Sequence, residues 1–387
     1  MSYRTGKSEN DFQIDLSNLK NYSFEIGNIR PPSEGGISSL LLRVTRNCPW
    51  SRCAFCYATI YNHEKFSIRS VEEVKNDIDN VKKIAEELKA LSWRLGYAGR
   101  IEPLGMILQS NLIKDRSVDS VTADEMKNLN CVVTVFNWLC TGGKTAFLQD
   151  ADTPMMRTDQ LVEIIEYLKE TFPDIERITS YNRAKTIIRK KPEELSRLHE
   201  AGLNRLHVGL ETGDEELLRY IDKGVTVEEH IIAGKKAKEA GFELSEYIMP
   251  GLGGRKLWVQ HAENTAKVLN EIDPHFIRSR PYVPRVNTPL MEAYQSGEFE
   301  LTTPHERLME IGLLVKNLDL TSRVCFDHQL NPMYWMGNRL IPVLKQDYDG
   351  YKFPEEKELV LETINKGLTI DEETFVYARD MIELPYL

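Results

Sequence analysis

Leu40-Leu41-Leu42-Arg43-Val44-Thr45-Arg46-Asn47-Cys48-Pro49-Trp50-Ser51-Arg52-Cys53-Ala54-Phe55-Cys56 is the stretch on which the reading of this chain turns. Leu40, Leu41, Leu42 and Val44 form an apolar, β-like run, and the cysteines after it are spaced C-x4-C-x2-C at Cys48, Cys53 and Cys56. Three thiolates in one tight loop can hold three irons of a [4Fe–4S] cube, leaving the fourth iron open to an outside ligand. An open iron points to chemistry rather than to a structural role.

Two blander readings compete. A structural zinc closes with four ligands, and the nearest further candidate is His63, seven residues past Cys56. Disulfide pairing suits a secreted chain, whereas six cysteines in 387 residues with no secretory signal is ordinary intracellular usage.

The chain is long enough for one large α/β domain or a domain plus a cap. Net charge is −10, from 49 Lys and Arg against 59 Asp and Glu, which is unlike a general nucleic-acid binder. The apolar stretch from Cys131 to Cys140 is too short and too polar to cross a bilayer. A soluble, cytoplasmic protein is expected.

Outward from the cysteine loop, short apolar runs alternate with amphipathic stretches, the pattern of a parallel sheet wrapped by helices. The expected strands are 39–45, 145–149, 176–180, 205–210, 242–248 and 275–280. Ser70 with Glu73, and Thr226 with Glu229, read as capping boxes, and Gly202 and Gly224 as helix C-caps. An insertion over 93–144 carries its own capping box, Thr122 with Glu125, and an apolar helix ending at Gly142 and Gly143. Thr303, Pro304 and Glu306 open a helix in a region expected to cap the barrel. The expected division is an N-terminal extension over 1–37, a partial (β/α)6 barrel over 38–285, and a C-terminal cap over 286–387.

In such a fold the reacting groups gather where strands end. Here the six runs lead into the cysteine loop, Gln149-Asp150-Ala151-Asp152, Ser180-Tyr181-Asn182-Arg183, Glu211-Thr212-Gly213-Asp214, Tyr247 through Gly254, and Arg280-Pro281-Tyr282. Any one of these turns alone reads most simply as a cap. Their coincidence with the cysteines favours a site.

Over residues 38 to 285 the chain resembles the radical S-adenosylmethionine (SAM) superfamily, and within it the branch of oxygen-independent coproporphyrinogen oxidase and the methylthiotransferases. The resemblance implies that Cys48, Cys53 and Cys56 bind the cluster and that SAM chelates its open iron. The family's commonest spacing is C-x3-C-x2-C; this chain has one residue more in the first gap and keeps the aromatic Phe55 whose neighbourhood meets the adenine. Glu211 and Lys223, in Val208-Gly209-Leu210-Glu211 and Lys223-Gly224, resemble the polar pair that contacts the cofactor's methionine and ribose. Ser180 and Arg183 resemble the polar end of strand three, and Tyr247 and Tyr282 fall at the ends of strands five and six, near the cofactor. The glycine-rich turn that receives the cofactor's amino group reads Gln149, Asp150, Ala151 and Asp152 here. Side-chain oxygens can replace or add to those carbonyls, or Asp150 or Asp152 faces the substrate.

The resemblance further implies one-electron cleavage of SAM to methionine and a 5′-deoxyadenosyl radical that takes hydrogen from a substrate. A flavodoxin or ferredoxin type donor would supply the electron. Fewer than 50 residues precede Cys48, so no cobalamin-binding domain is expected there. Cys131, Cys140 and Cys325 are either buried thiols or ligands of a second cluster. Arg278, Arg280 and Arg285, with Arg183, Lys185, Arg189, Lys190 and Lys191, suit an anionic substrate if they ring the mouth; the run 183–191 otherwise reads as a solvated helix face. His275, Asp327 and His328 are candidate proton-transfer groups. A small anionic molecule, a lipid or a tetrapyrrole is the expected substrate. The alternatives are a tRNA- or protein-modifying member of the superfamily, or a non-catalytic iron–sulfur carrier or sensor.

Overall fold

The computed structural model describes residues 18–27, 38–56, 65–113 and 122–382; His63 and most of the expected N-terminal extension lie outside them. The main sheet runs in chain order: β1 (Leu40–Arg43), β2 (Thr145–Gln149), β3 (Arg177–Asn182), β4 (Leu203–Glu211), β5 (Glu243–Ile248), β6 (Phe276–Ser279), β7 (Arg323–Cys325) and β8 (Tyr351–Lys352). β1 through β7 are parallel, and β8 closes the edge antiparallel to β7. Strands laid down in sequence order with helical crossovers make every βα turn open at the same end. The six expected strands are present as β1 to β6. The region expected as a cap lends the sheet two more.

The crossovers are α1 (Val71–Arg94), α4 (Thr158–Thr171), α5 (Ala184–Arg189) with α6 (Pro192–Ala201), α7 (Glu215–Tyr220) with α8 (Val227–Glu239), and α9 (Gly254–Ile272). α2 (Leu104–Ile113) and α3 (Ala123–Cys140) form the insertion before β2. Beyond β6 come α10 (Pro289–Ser296), α11 (Pro304–Asn317) and α12 (Lys357–Gly367), with a hairpin at Met333–Met336 and Arg339–Pro342. The boxes Ser70/Glu73, Thr122/Glu125, Thr226/Glu229 and Thr303/Glu306 all form, each satisfying orphan amides at a helix start. Gly202 caps α6 with φ 120°. Gly224 does not cap α7, which ends at Ile221. It has φ +71°, and a Cβ there would lie 2.5 Å from the Trp50 ring, so its bareness serves the cysteine loop.

Alternate strand residues divide the sheet's two faces. Leu40, Leu42, Ala146, Leu148, Ile178, Leu206, Val208, Leu244, Ile248 and Ile277 join the helices in the main core. The other face fills the barrel with rings: Phe147 and Tyr181 have centroids 4.9 Å apart, and Tyr181, His207 and Tyr247 stand 5.7 to 5.9 Å from one another. Lower down, Tyr348 plugs the barrel, accepting a hydrogen bond from Arg205 and lying under the guanidiniums of Arg278 at 4.6 Å and Arg177 at 5.6 Å.

Candidate functional site

The cysteine loop is sewn to the strand ends on three sides. Toward β2, Asn47, at φ 61°, donates its amide to Asp150 Oδ2 at 3.0 Å and caps the Cys48 amide with its own Oδ1 at 2.6 Å. Toward β4, the Ala54 amide bonds the Ile221 carbonyl at 2.8 Å, and Trp50 Nε1 bonds the Asp222 carbonyl at 2.6 Å. The Trp50 ring rests on Gly224 between the guanidiniums of Arg52 at 4.7 Å and Arg183 at 5.2 Å. Toward α10, the Leu290 amide bonds the Ala54 carbonyl at 3.0 Å. Beneath the loop, Phe55 is buried with Leu217, Ile221, Leu252, Tyr282, Leu290 and Phe299, and Tyr282 meets Phe299 edge to face at 5.7 Å.

Glu211 and Lys223 stand beside this loop. Lys223 Nζ bonds Glu211 Oε1 at 2.7 Å, both side chains are 12 % exposed, and Nζ lies 5.7 Å from the Phe55 ring centre. Glu211 has φ 63°, at the point where the β4–β5 register shifts. Its carbonyl is held by the Met249 amide at 2.9 Å and faces His261 Nε2 at 3.3 Å. His261 Nδ1 in turn meets Glu310 Oε1 at 2.7 Å, and Glu310 Oε2 accepts from the Gly251 amide at 2.8 Å. Burial opposes the charge on Lys223, but the Glu211 carboxylate, by its charge and its hydrogen bond, holds the pKa above the ordinary lysine value. Arg183 completes this side by donating to the Lys223 carbonyl at 2.8 Å.

In the strand-two turn, the side chains of Gln149 and Asp150, candidates for a cofactor's amino group or, for Asp150, a substrate, make contacts within the protein. Gln149 brackets the Gly27 backbone, and Asp150 pairs with Arg43 Nη2 at 2.6 Å while holding Asn47. Asp152 accepts from the Arg183 amide at 3.2 Å and from Thr186 Oγ1 at 2.6 Å, so it organises the start of α5 rather than facing a substrate. Burial raises its pKa to about 6. The carbonyls on either side of this turn, those of Gln149 and Asp152, accept the amides of Val44 and Met155. Ser180 is wholly buried, with its hydroxyl on Asn182 Oδ1 at 3.2 Å. Tyr247 is 6 % exposed, in the ring stack below Arg280.

Two groups escaped the sequence reading. Glu246 on β5 is buried with neither carboxylate oxygen hydrogen-bonded, and burial together with Glu211 pushes its pKa well above the carboxylate range. His230 on α8 is buried with both ring nitrogens unpartnered, and burial, Lys223 and Arg183 hold it neutral, at about 3. The only sequence sign of Glu246 is a carboxylate set inside an apolar run. His230 sits in a capped amphipathic helix, where the pattern marks it as packing.

The alternatives left open for the remaining cysteines and the basic run separate in space. Cys131 hydrogen-bonds the Phe24 backbone in the core and shares α3 with Cys140, whereas Cys325 lies on β7, far across the sheet. They do not make a second cluster site. Within the basic run, Arg183 stands at the site, whereas Lys190 turns inward onto Thr158 Oγ1 at 2.9 Å and Lys185 pairs with Glu229. His275 Nδ1 accepts the Leu244 amide at 3.0 Å, a structural duty.

The sequence pattern of the Radical SAM superfamily matches residues 139–264, which run from the end of α3 into α9. The cysteine loop precedes the matched span. Among curated proteins, the chain is 26 % identical over 114 residues to the tRNA uridine(34) acetyltransferase of Methanocaldococcus jannaschii, covering 28 % of this chain and 20 % of that one. It is 27 % identical over 129 residues to the heme chaperone HemW of Bacillus subtilis, covering 33 % and 34 %. The chain thus spans between a fifth and about a third of the curated relatives it matches. Among solved structures, methylornithine synthase (PylB) is 15 % identical with a TM-score of 0.43, covering 92 % of this chain and 80 % of that one. Elp3 of Methanocaldococcus infernus is 18 % identical with a TM-score of 0.41, covering 58 % and 54 %.

The cofactors of the radical SAM superfamily are a [4Fe–4S] cluster and SAM. The donor set here fits them. Cys48, Cys53 and Cys56 are free and half-buried. Burial raises the Cys53 thiol, and burial with Cys53 and Cys48 alongside takes Cys56 to about 12, so these protons leave as metal binds. Among the described residues no three His, Cys, Asp or Glu side chains converge on a single ion. Three thiolates that each take a separate iron have no need to. No helix among the described residues is long and apolar enough to cross a membrane.

Proposed function

We propose that the chain is a radical SAM enzyme in which Cys48, Cys53 and Cys56 hold the cluster and the polar strand ends hold SAM. The observation that carries this reading is the junction of the cysteine loop with the Glu211–Lys223 pair through Ala54, Trp50 and Phe55. Bound there, the cluster and SAM supply a 5′-deoxyadenosyl radical able to take hydrogen from a substrate.

The chain's own residues bind, orient and shield. Glu211 offers acceptors to an ammonium or ribose hydroxyl, and Lys223 and Arg183 offer donors to a carboxylate. The carbonyls around Ala151, the Ser180 end of β3, and the Phe55, Tyr247 and Tyr282 walls complete the cofactor's surroundings. The ring stack below and the region after β6 exclude water. The accompanying division is an extension over 1–37, a partial barrel over 38–285 with its insertion at 93–144, and a cap over 286–387. The electron comes from a flavodoxin or ferredoxin type donor, and the substrate is a small anionic molecule, a lipid or a tetrapyrrole.

The test is anaerobic reconstitution followed by dithionite and SAM, with 5′-deoxyadenosine measured by chromatography. Its formation supports the enzyme. A reducible cluster that leaves SAM intact refutes it in favour of a non-catalytic carrier or sensor.

A further inference from the structure

Most cations that line or close the barrel have carboxylates of their own. Arg43 has Asp150, Lys223 has Glu211, and Arg205 has Glu243. The end of β6 is different. Arg278 Nη1 and Arg280 Nη1 both bond one carboxylate, Asp327, at 2.7 and 2.8 Å. Arg278 is wholly buried, and its Nε and Nη2 have no hydrogen-bond partner. Arg280 lies 5.0 Å over the Tyr247 ring with its side chain 13 % exposed, so of the two it is the one that reaches the mouth.

Among the described residues the neighbouring titratable groups do not make up the deficit. His328 is held neutral by burial and by Arg280, with Arg285 adding to the positive side. Asp347, the next carboxylate, is half-exposed and faces Lys345 at 3.8 Å. Among the described residues, two guanidiniums around one carboxylate leave a positive charge with no counter-ion in a low-dielectric site, an arrangement that is costly unless another anion shares it. Guanidiniums are also the groups best shaped to receive paired oxygens.

We propose that Arg280, backed by Arg278 and Asp327, receives an anionic oxygen group of the substrate, a carboxylate or a phosphate, and so holds the charged end against β6 and β7. That the ligand is a substrate rests on the radical SAM reading; that the pair binds an oxyanion does not.

The experiment is thermal denaturation of the reconstituted holoprotein, without reductant, in sodium acetate, sodium phosphate or sodium chloride at equal ionic strength. Each salt is run with and without SAM, so that any oxyanion site belonging to the cofactor is also seen filled. At about twentyfold excess over its Kd, acetate or phosphate is expected to raise the melting point by about 2 °C relative to chloride. The more effective salt names the group. Arg280→Gln, which restores one cation to one carboxylate, should lose the rise while melting no lower than wild type in chloride. Equal melting points in all three salts, or a rise that survives Arg280→Gln, overturns the proposal. If Arg280→Gln does not fold, Asp327→Asn decides: two cations with no carboxylate must give a larger rise than wild type, and a smaller one overturns it. Because no SAM cleavage is read, a failed 5′-deoxyadenosine assay and a failed salt response remain separate results.

Discussion

Asp150→Asn tests whether the cysteine loop depends on the buried Arg43–Asp150 ion pair that holds Asn47, the residue before Cys48. The carboxylate is fully buried, bonds Arg43 Nε at 2.8 Å and Nη2 at 2.6 Å, and accepts the Asn47 amide at 3.0 Å. Asparagine keeps the shape and can keep the Asn47 bond, but it removes the charge facing Arg43, which retains Glu25 at 2.9 Å. Breaking a buried pair from one side costs about 3 to 5 kcal/mol, and the retained Glu25 contact places this change near the low end, about 3 kcal/mol. Unfolding entropy of about 2.1 cal/mol/K per residue over 387 residues is about 0.8 kcal/mol/K, so the melting point should fall by about 4 °C. Because Asn47 also caps Cys48, the loop should loosen and iron per chain after reconstitution should drop by at least half. Melting curves and iron and sulfide content read both. An unchanged melting point with full iron loading would mean that Asp150 does not position the loop, and the placement argued above would be wrong.

Gly209→Ala puts a Cβ into Glu211 Oε1 and within 3.0 Å of Lys223 Nζ. Flexible side-chain ends can yield, so stability should change by no more than about 1 kcal/mol, while SAM affinity by calorimetry should weaken about tenfold; equal affinity would remove Glu211 and Lys223 from the cofactor's surroundings. Asp152 gives a pH signature. Its folded pKa of about 6 lies above the ordinary aspartate value of 3.8, so the folded state binds that proton more tightly. The stability it contributes is full below about pH 4 and is lost as pH rises through about 6, on the order of 2 to 3 kcal/mol. Asp152→Asn should flatten that part of the stability profile in urea titrations at pH 4 to 8, and an unchanged slope would show that the carboxylate is not the group responsible.

What the sequence could reveal followed from what is local. β1 to β6 announce themselves as apolar runs, and capping boxes lie within four residues, so both are legible without tertiary knowledge. β7 spans three residues and β8 two, too short for any run to register, and they become strands only because β6 offers an edge. The duties of Gln149 and Asp150 were hidden for another reason. Their partners Gly27 and Arg43 lie 122 and 107 residues away, and a turn rich in polar residues looks the same whether it serves a ligand or the chain itself. Gly224 looks like a helix stop because glycine after an apolar stretch usually is one; Trp50, more than 170 residues earlier, explains it.

Glu310 is rooted in α11, yet it grips the Gly251 amide at the top of β5 and, through His261, the turn at Glu211. That part of the polypeptide is therefore bolted to the rim and ill suited to swing like a door. Traffic into and out of the barrel has to pass elsewhere around the circumference, and engineers seeking to widen access should leave this corner alone.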